Sequence, residues 1–106
     1  MNMHDLHALH GETPTVKKAM ASQIHEKGKL VTTLVCLIRH PEPLFRCASV
    51  VSEEGLDGAT KAMRLMLSEC QFAWPADVTT EIRSRAEIAM MTKAAREAGG
   101  KLIIAS

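Results

Sequence analysis

The chain has no tyrosine, and its aromatic residues are two phenylalanines and one tryptophan: Phe45, Phe72 and Trp74. A protein that stacks single-stranded bases on aromatic platforms needs more than this. Charge of one sign is also missing: 13 Lys and Arg stand against 12 Asp and Glu, for a net charge of +1. Such a balance gives no electrostatic reason to seek nucleic acid or an anionic membrane. The longest apolar-rich stretch, Leu30 to Ile38, is broken by Thr32 and Thr33 and falls far short of the roughly 20 residues of a spanning helix. The first residues, MNMHDLHALH, lack the basic-then-apolar pattern of a secretory leader. Three cysteines are an odd count for a disulfide framework and fit a reducing compartment. The expectation is a cytoplasmic protein that does not enter a membrane.

Catalytic signatures are missing too. Gly55 and Gly58 lack the Lys-Ser/Thr that completes a phosphate-binding loop. No serine stands in G-x-S-x-G. Glu53 and Glu54 are adjacent, so their side chains diverge on a helix or a strand alike. That is the pattern of a solvated helix start, not of a paired acid and base.

What is present fits one small α+β domain over residues 13–106, preceded by a histidine-containing segment, 1–12. Thr13 as a cap, Pro14 in the first helical turn and Gly28 beyond the end predict a helix, with Val16, Met20 and Ile24 as its stripe. Two strands follow, joined through Pro41 and Pro43. Leu56, Ala59, Met63, Leu67 and Cys70 then mark the inner face of a second helix. Beyond the Pro75 turn, Val78, Ile82, Ala86, Ala89 and Met90 mark that of a third, running to about Ala98. Gly99 and Gly100 end it, and KLIIAS closes the chain as a third strand. The expected order is α-β-β-α-α-β: an antiparallel hairpin plus a C-terminal strand, packed against two to three helices.

In that hairpin a four-residue loop, His40 to Pro43, sets Arg39 opposite Leu44 and Cys36 opposite Cys47. One face then collects Leu34, Cys36, Ile38, Phe45, Cys47 and Val51. With no Lys, His or helix N-terminus beside them to acidify a thiol, the two cysteines read as buried core residues rather than a redox pair. A shift of one residue in register would separate them.

His4, His7 and His10 recur every third residue. Structural zinc wants sulfur among its ligands, so the reading is solvated histidines, with no metal and no cofactor assigned. LIRHPEP and LHGETP each resemble half of the strand-ending R-H-G signature of the histidine phosphatases, whose histidine accepts phosphate. Here Arg39-His40 precedes Pro41, and His10-Gly11 lacks the arginine. The signature is incomplete in both places, and no catalytic residue is assigned.

The unusual count is methionine, seven in 106 residues, and flexible thioethers suit adaptable protein contacts. Met66 is one helical step from Leu67, and Met91 one step from Met90, which places each at the border of core and solvent. With Arg64, Phe72 and Trp74 nearby, these are residue types enriched in interface cores. The sequence therefore predicts a non-enzymatic protein-interaction module, a regulator or inhibitor of the kind that phages and mobile elements carry. Its contact surface is expected at Met66, Met91, Arg64, Phe72 and Trp74, and its partner is another protein or a second copy in a homodimer. The alternative is a nucleic-acid binder using Lys17, Lys18, Lys27 and Lys29 around the first helix.

Overall fold

The computed structural model describes residues 13–39, 45–97 and 101–105. Among the described residues, five strands and two helices follow one another in an α+β arrangement: β1 (Thr15–Glu26), β2 (Lys29–Arg39), β3 (Phe45–Ser52), α1 (Gly55–Glu69), β4 (Thr80–Ile82), α2 (Arg85–Glu97) and β5 (Lys101–Ala105). The strands form one mixed sheet in the order β4-β1-β2-β3-β5. Neighbours β1, β2 and β3 run antiparallel, whereas β4 joins β1 and β5 joins β3 in parallel. The expected C-terminal strand is present as β5.

The segment expected as a first helix is strand β1. Its stripe of Val16, Met20 and Ile24 is spaced by four, which is also a multiple of the strand period of two, although in the strand Val16 and Met20 pack on opposite faces. Gly28 is not a helix terminator but half of a tight turn. Lys27 and Gly28 have φ of 52° and 78°, both positive as a type I′ hairpin turn requires, and Glu26 pairs directly with Lys29. A register shift between Val16 and Lys18 marks a β-bulge, which lets Val16 and Ala19 join the same core cluster.

Parallel joins demand crossovers, and they fix which face each helix covers. From β3 the chain crosses through α1 to β4 at one edge; from β4 it crosses back through α2 to β5 at the other. Two crossovers in opposite directions have the same hand only if they lie on opposite faces. The packing agrees. Leu34, Cys36 and Ile38 of β2 meet Ala59, Met63 and Leu67 of α1, while the intervening Val35 and Leu37 share a cluster with Ile88 and Met91 of α2.

The β2–β3 register departs from expectation by one residue. Arg39 pairs with Phe45, so Cys36 lies opposite Ala48 and Cys47 opposite Leu37. Five residues, 40–44, separate the closing pair instead of four. Both thiols are buried and free, as expected, but they face opposite sides of the sheet. The physical reason is packing. This register gives the α1 side Ala48 and Val50 beside Cys36, Leu34 and Ile38, and leaves Val51 about half exposed.

Helix α1 begins after Glu54, whose N–H is accepted by the Ser52 hydroxyl at 3.0 Å. It ends in a Schellman-type closure: Phe72 N–H donates to the Leu67 carbonyl at 2.8 Å, and Gln71 takes the left-handed conformation with φ 60° that glycine usually fills. Cys70, expected on the inner face, lies at this end and is exposed. One polar atom is stranded on the α1 side. The Thr32 hydroxyl is fully buried with no hydrogen-bond partner among the described residues.

Candidate functional site

Four of the five residues expected at a contact surface come together at the C-terminal end of α1. Met66, Phe72 and Trp74 are half-buried against the α1-side core. The Arg64 guanidinium lies 4.5 Å from the centroid of the Trp74 ring, a cation–π stack worth about 0.5–1 kcal/mol at an exposed site. The indole N–H of Trp74 donates to the Val78 carbonyl at 2.8 Å. A backbone bridge continues the closure: Val16 N–H donates to the Ala73 carbonyl and Ala73 N–H to the Pro14 carbonyl, each at 2.8 Å. The group seals one end of the core and ties the α1–β4 connection to β1.

Met91 is not part of it. It is half-buried on the other side of the sheet, against Met20, Val35, Cys47 and Ile88. The two border methionines that the sequence places together are separated by the sheet itself, because the one-hand rule sends α2 to the opposite face.

Helix α2 also begins later than expected. Residues 80–82 pair with β1, and Arg83 N–H continues that ladder to the Ala21 carbonyl at 2.9 Å. The helix then opens on a capping box: Glu87 N–H donates to Ser84 Oγ at 3.1 Å, Ser84 N–H donates back to Glu87 Oε1 at 3.5 Å, and the Ser84 hydroxyl also donates to Glu87 Oε1 at 3.0 Å. These hydrogen bonds from Ser84 hold the Glu87 carboxyl below its ordinary range. The signal was present as S-x-x-E at residues 84–87. The expected inner stripe took its phase from Val78 and Ile82, which both precede the helix. Without them the inner residues are Ile88, 5% exposed, and Met91, while Met90 is 71% exposed. Ala86, Ala89 and Ala94 are exposed as well. The exposed surface of α2 thus carries a methionine and alanines beside the charged Arg85, Glu87 and Lys93.

Among the described residues, coverage beneath α2 is incomplete. An open groove of about 630 Å³ runs between its flank and strands β2 and β3, floored by Val35, Ile88 and Ala89. Cys47 lies under the helix, and its thiol is raised above the ordinary range by burial, against a weak hydrogen bond to Thr92 Oγ1 at 3.9 Å. On the α1 side, burial pushes the Cys36 thiol up to about 12. Both are protonated at neutral pH and inert as nucleophiles.

The edge strand β4 is guarded by charge. Arg83 bonds Glu81 at 2.6 Å and Glu87 at 3.4 Å, and Lys18 approaches Glu81 at 3.8 Å. The Arg83 hydrogen bond lowers the Glu81 carboxyl, and charged residues on an edge discourage pairing with another chain. Arg85 reaches Glu26 at 3.7 Å. Of the four lysines considered for nucleic acid, Lys18 and Lys29 each sit beside a carboxylate, Glu81 and Glu53.

His4, His7, His10 and His40 lie outside the described residues. Among the described residues, no three His, Cys, Asp or Glu side chains converge as metal ligands, and no helix is long and apolar enough to cross a membrane. No protein-family model matches the chain, and no curated protein or solved structure matches it significantly.

Proposed function

We propose that this chain is a protein-interaction module that makes its principal contact through α2 and the sheet surface beside it. The observation that carries the reading is the outer face of α2, where Met90 stands 71% exposed between Ala86 and Ala94. Methionine at an exposed helical position offers an apolar, conformationally adaptable contact, and the alanines let a partner backbone approach closely. Met91 stays in the reading as the residue that seats the helix. The Arg64–Trp74 group is better accounted for by its closure of the core. The partner is another protein, a second copy of the chain included.

Affinity capture from the source cells, with Met90→Glu and Ala86→Glu variants beside the native chain, tests this. Both positions are exposed, so each variant should keep the native melting temperature and lose the captured protein. Light scattering on the same proteins reads self-association in parallel. Capture undiminished in both variants, with no change in oligomeric state, would contradict the proposal.

A further inference from the structure

The seat of α2 is rich in sulfur. Among the described residues, three of the six side chains clustered on that side of the sheet, Met20, Cys47 and Met91, carry it, against three of sixteen on the α1 side. Their exposure is graded. Met20 is fully buried and Cys47 nearly so, Met91 is half-buried, and Met90 beside it is open to solvent. A thioether that solvent reaches takes an oxygen atom from a peroxide and becomes a polar sulfoxide. With hydrogen peroxide the O–O bond breaks and an S–O bond forms. Sulfur gives up two electrons, and the reduced peroxide leaves as water.

The consequence depends on what else holds the helix. Helix α1 keeps Ala59, Met63 and Leu67 buried, so a sulfoxide at half-buried Met66 leaves three anchors in place. Over residues 85–94 of α2 the buried side chain is Ile88, and Met91 is its companion in the cluster. A sulfoxide at Met91 lies uncompensated against Met20, Val35 and Cys47 unless the helix moves away, and burying a polar group without a partner is unfavourable. We infer that Met91 is an oxidation switch: oxygen on its sulfur lifts α2 off the sheet, and reduction of the sulfoxide seats it again. In the return step two thiols become a disulfide and the oxygen leaves as water. Release of a partner by this movement rests on the interaction reading above; the movement itself does not.

The test treats the full chain with hydrogen peroxide, locates the added oxygen by mass spectrometry and reads each helix by amide hydrogen exchange. Met90 and Met91 should oxidise early, and Met20 only after Met91. Once Met91 carries oxygen, the amides of Ile88 to Lys93 should exchange about fivefold faster, with those of Ala59 to Leu67 unchanged. Met91→Leu, which keeps the apolar volume without the thioether, should leave α2 seated and Met20 protected under the same treatment. Met91→Gln, polar without any oxidant, should loosen α2 from the start. A methionine sulfoxide reductase supplied with dithiothreitol should restore slow exchange to the oxidised native chain. The inference is overturned if peroxide that consumes Met90 spares Met91, if α2 exchange is unchanged by oxygen on Met91, if Met91→Leu loosens equally, or if reduction restores nothing. If α2 loosens and the captured partner stays bound, the switch stands and the interaction reading falls. If α2 stays seated while Met90→Glu loses the partner, the switch falls and the interaction reading stands.

Discussion

The two faces of this sheet are covered by helices of similar length, 15 and 13 residues, yet among the described residues only one is packed as a closed core. Under α1, three helical residues, Ala59, Met63 and Leu67, interlock with buried side chains from all three long strands, and Leu56, Met66, Phe72 and Trp74 close the margins. Under α2 the buried helical anchor is Ile88, with Met91 half-buried beside it and small residues leaving a groove. Helix length and amphipathic pattern therefore do not determine coverage. The size of the side chains on the facing flank does. Cores normally fill to crystal-like density, so a flank of Ala and Thr against Ser and Thr leaves one side able to accept something else.

Truncating one methionine on each face gives the strongest contrast. Met63 is fully buried, and Met63→Ala should cost about 2–5 kcal/mol in urea unfolding, from lost burial and the cavity left behind. Met91→Ala, at a half-buried site with solvent beside it, should cost about 1 kcal/mol or less. Equal losses would mean that the α2 side is as tightly packed as the other.

The two thiols probe the same difference through pH. Cys36 goes from an ordinary value of 9.0 to about 12 in the fold. The folded state thus holds a proton that the unfolded chain releases. Its contribution is complete below pH 9 and is lost progressively as pH rises from there toward 12. Urea stability measured between pH 8 and 10.5 should fall, and Cys36→Ala should flatten that fall. Since the thiols face opposite sides, mild oxidant should not join Cys36 to Cys47. Alkylation should mark Cys70 at once, Cys47 after α2 opens and Cys36 only on global unfolding.

Thr32 is the flaw on the well-packed side. Thr32→Val removes a buried hydroxyl without a partner and keeps the shape, so it should stabilise the protein by about 1 kcal/mol. A loss of stability would reveal a hydrogen bond to that hydroxyl. A smaller and more local change is expected at the start of α2. Ser84→Ala, which breaks the capping box, should cost about 1 kcal/mol and loosen α2 while leaving α1 untouched, as amide exchange of the two helices would show.

Much of the α1 side was legible in the sequence. Leu56, Ala59, Met63 and Leu67 hold a helical spacing that no strand shares, and Glu53, Glu54 and Gly55 frame its start. The first strand was not legible from periodicity, because Val16, Met20 and Ile24 suit either period. Only the pairing of β1 with β2 across Lys27-Gly28 decides between them, and that turn lacks the Asn-Gly signature. The separation of Cys36 from Cys47 hung on one residue of loop length, which composition does not encode. Met66 and Met91 were correctly placed at borders, but each at a different one. Which face a helix covers follows from the direction of its crossover, and that is known only once strand order is known.

Native-state hydrogen exchange across a range of low urea concentrations tests the unequal coverage most directly. The amides of Ala59 to Leu67 and those of β2 should exchange only by global unfolding, with free energies that fall steeply as urea rises. The amides of Ile88 to Lys93 should exchange through a smaller opening, several-fold to many-fold more often and nearly independent of urea. If α2 exchanges with the same free energy and the same urea slope as α1, the two faces are equally packed, and the open side described here does not exist.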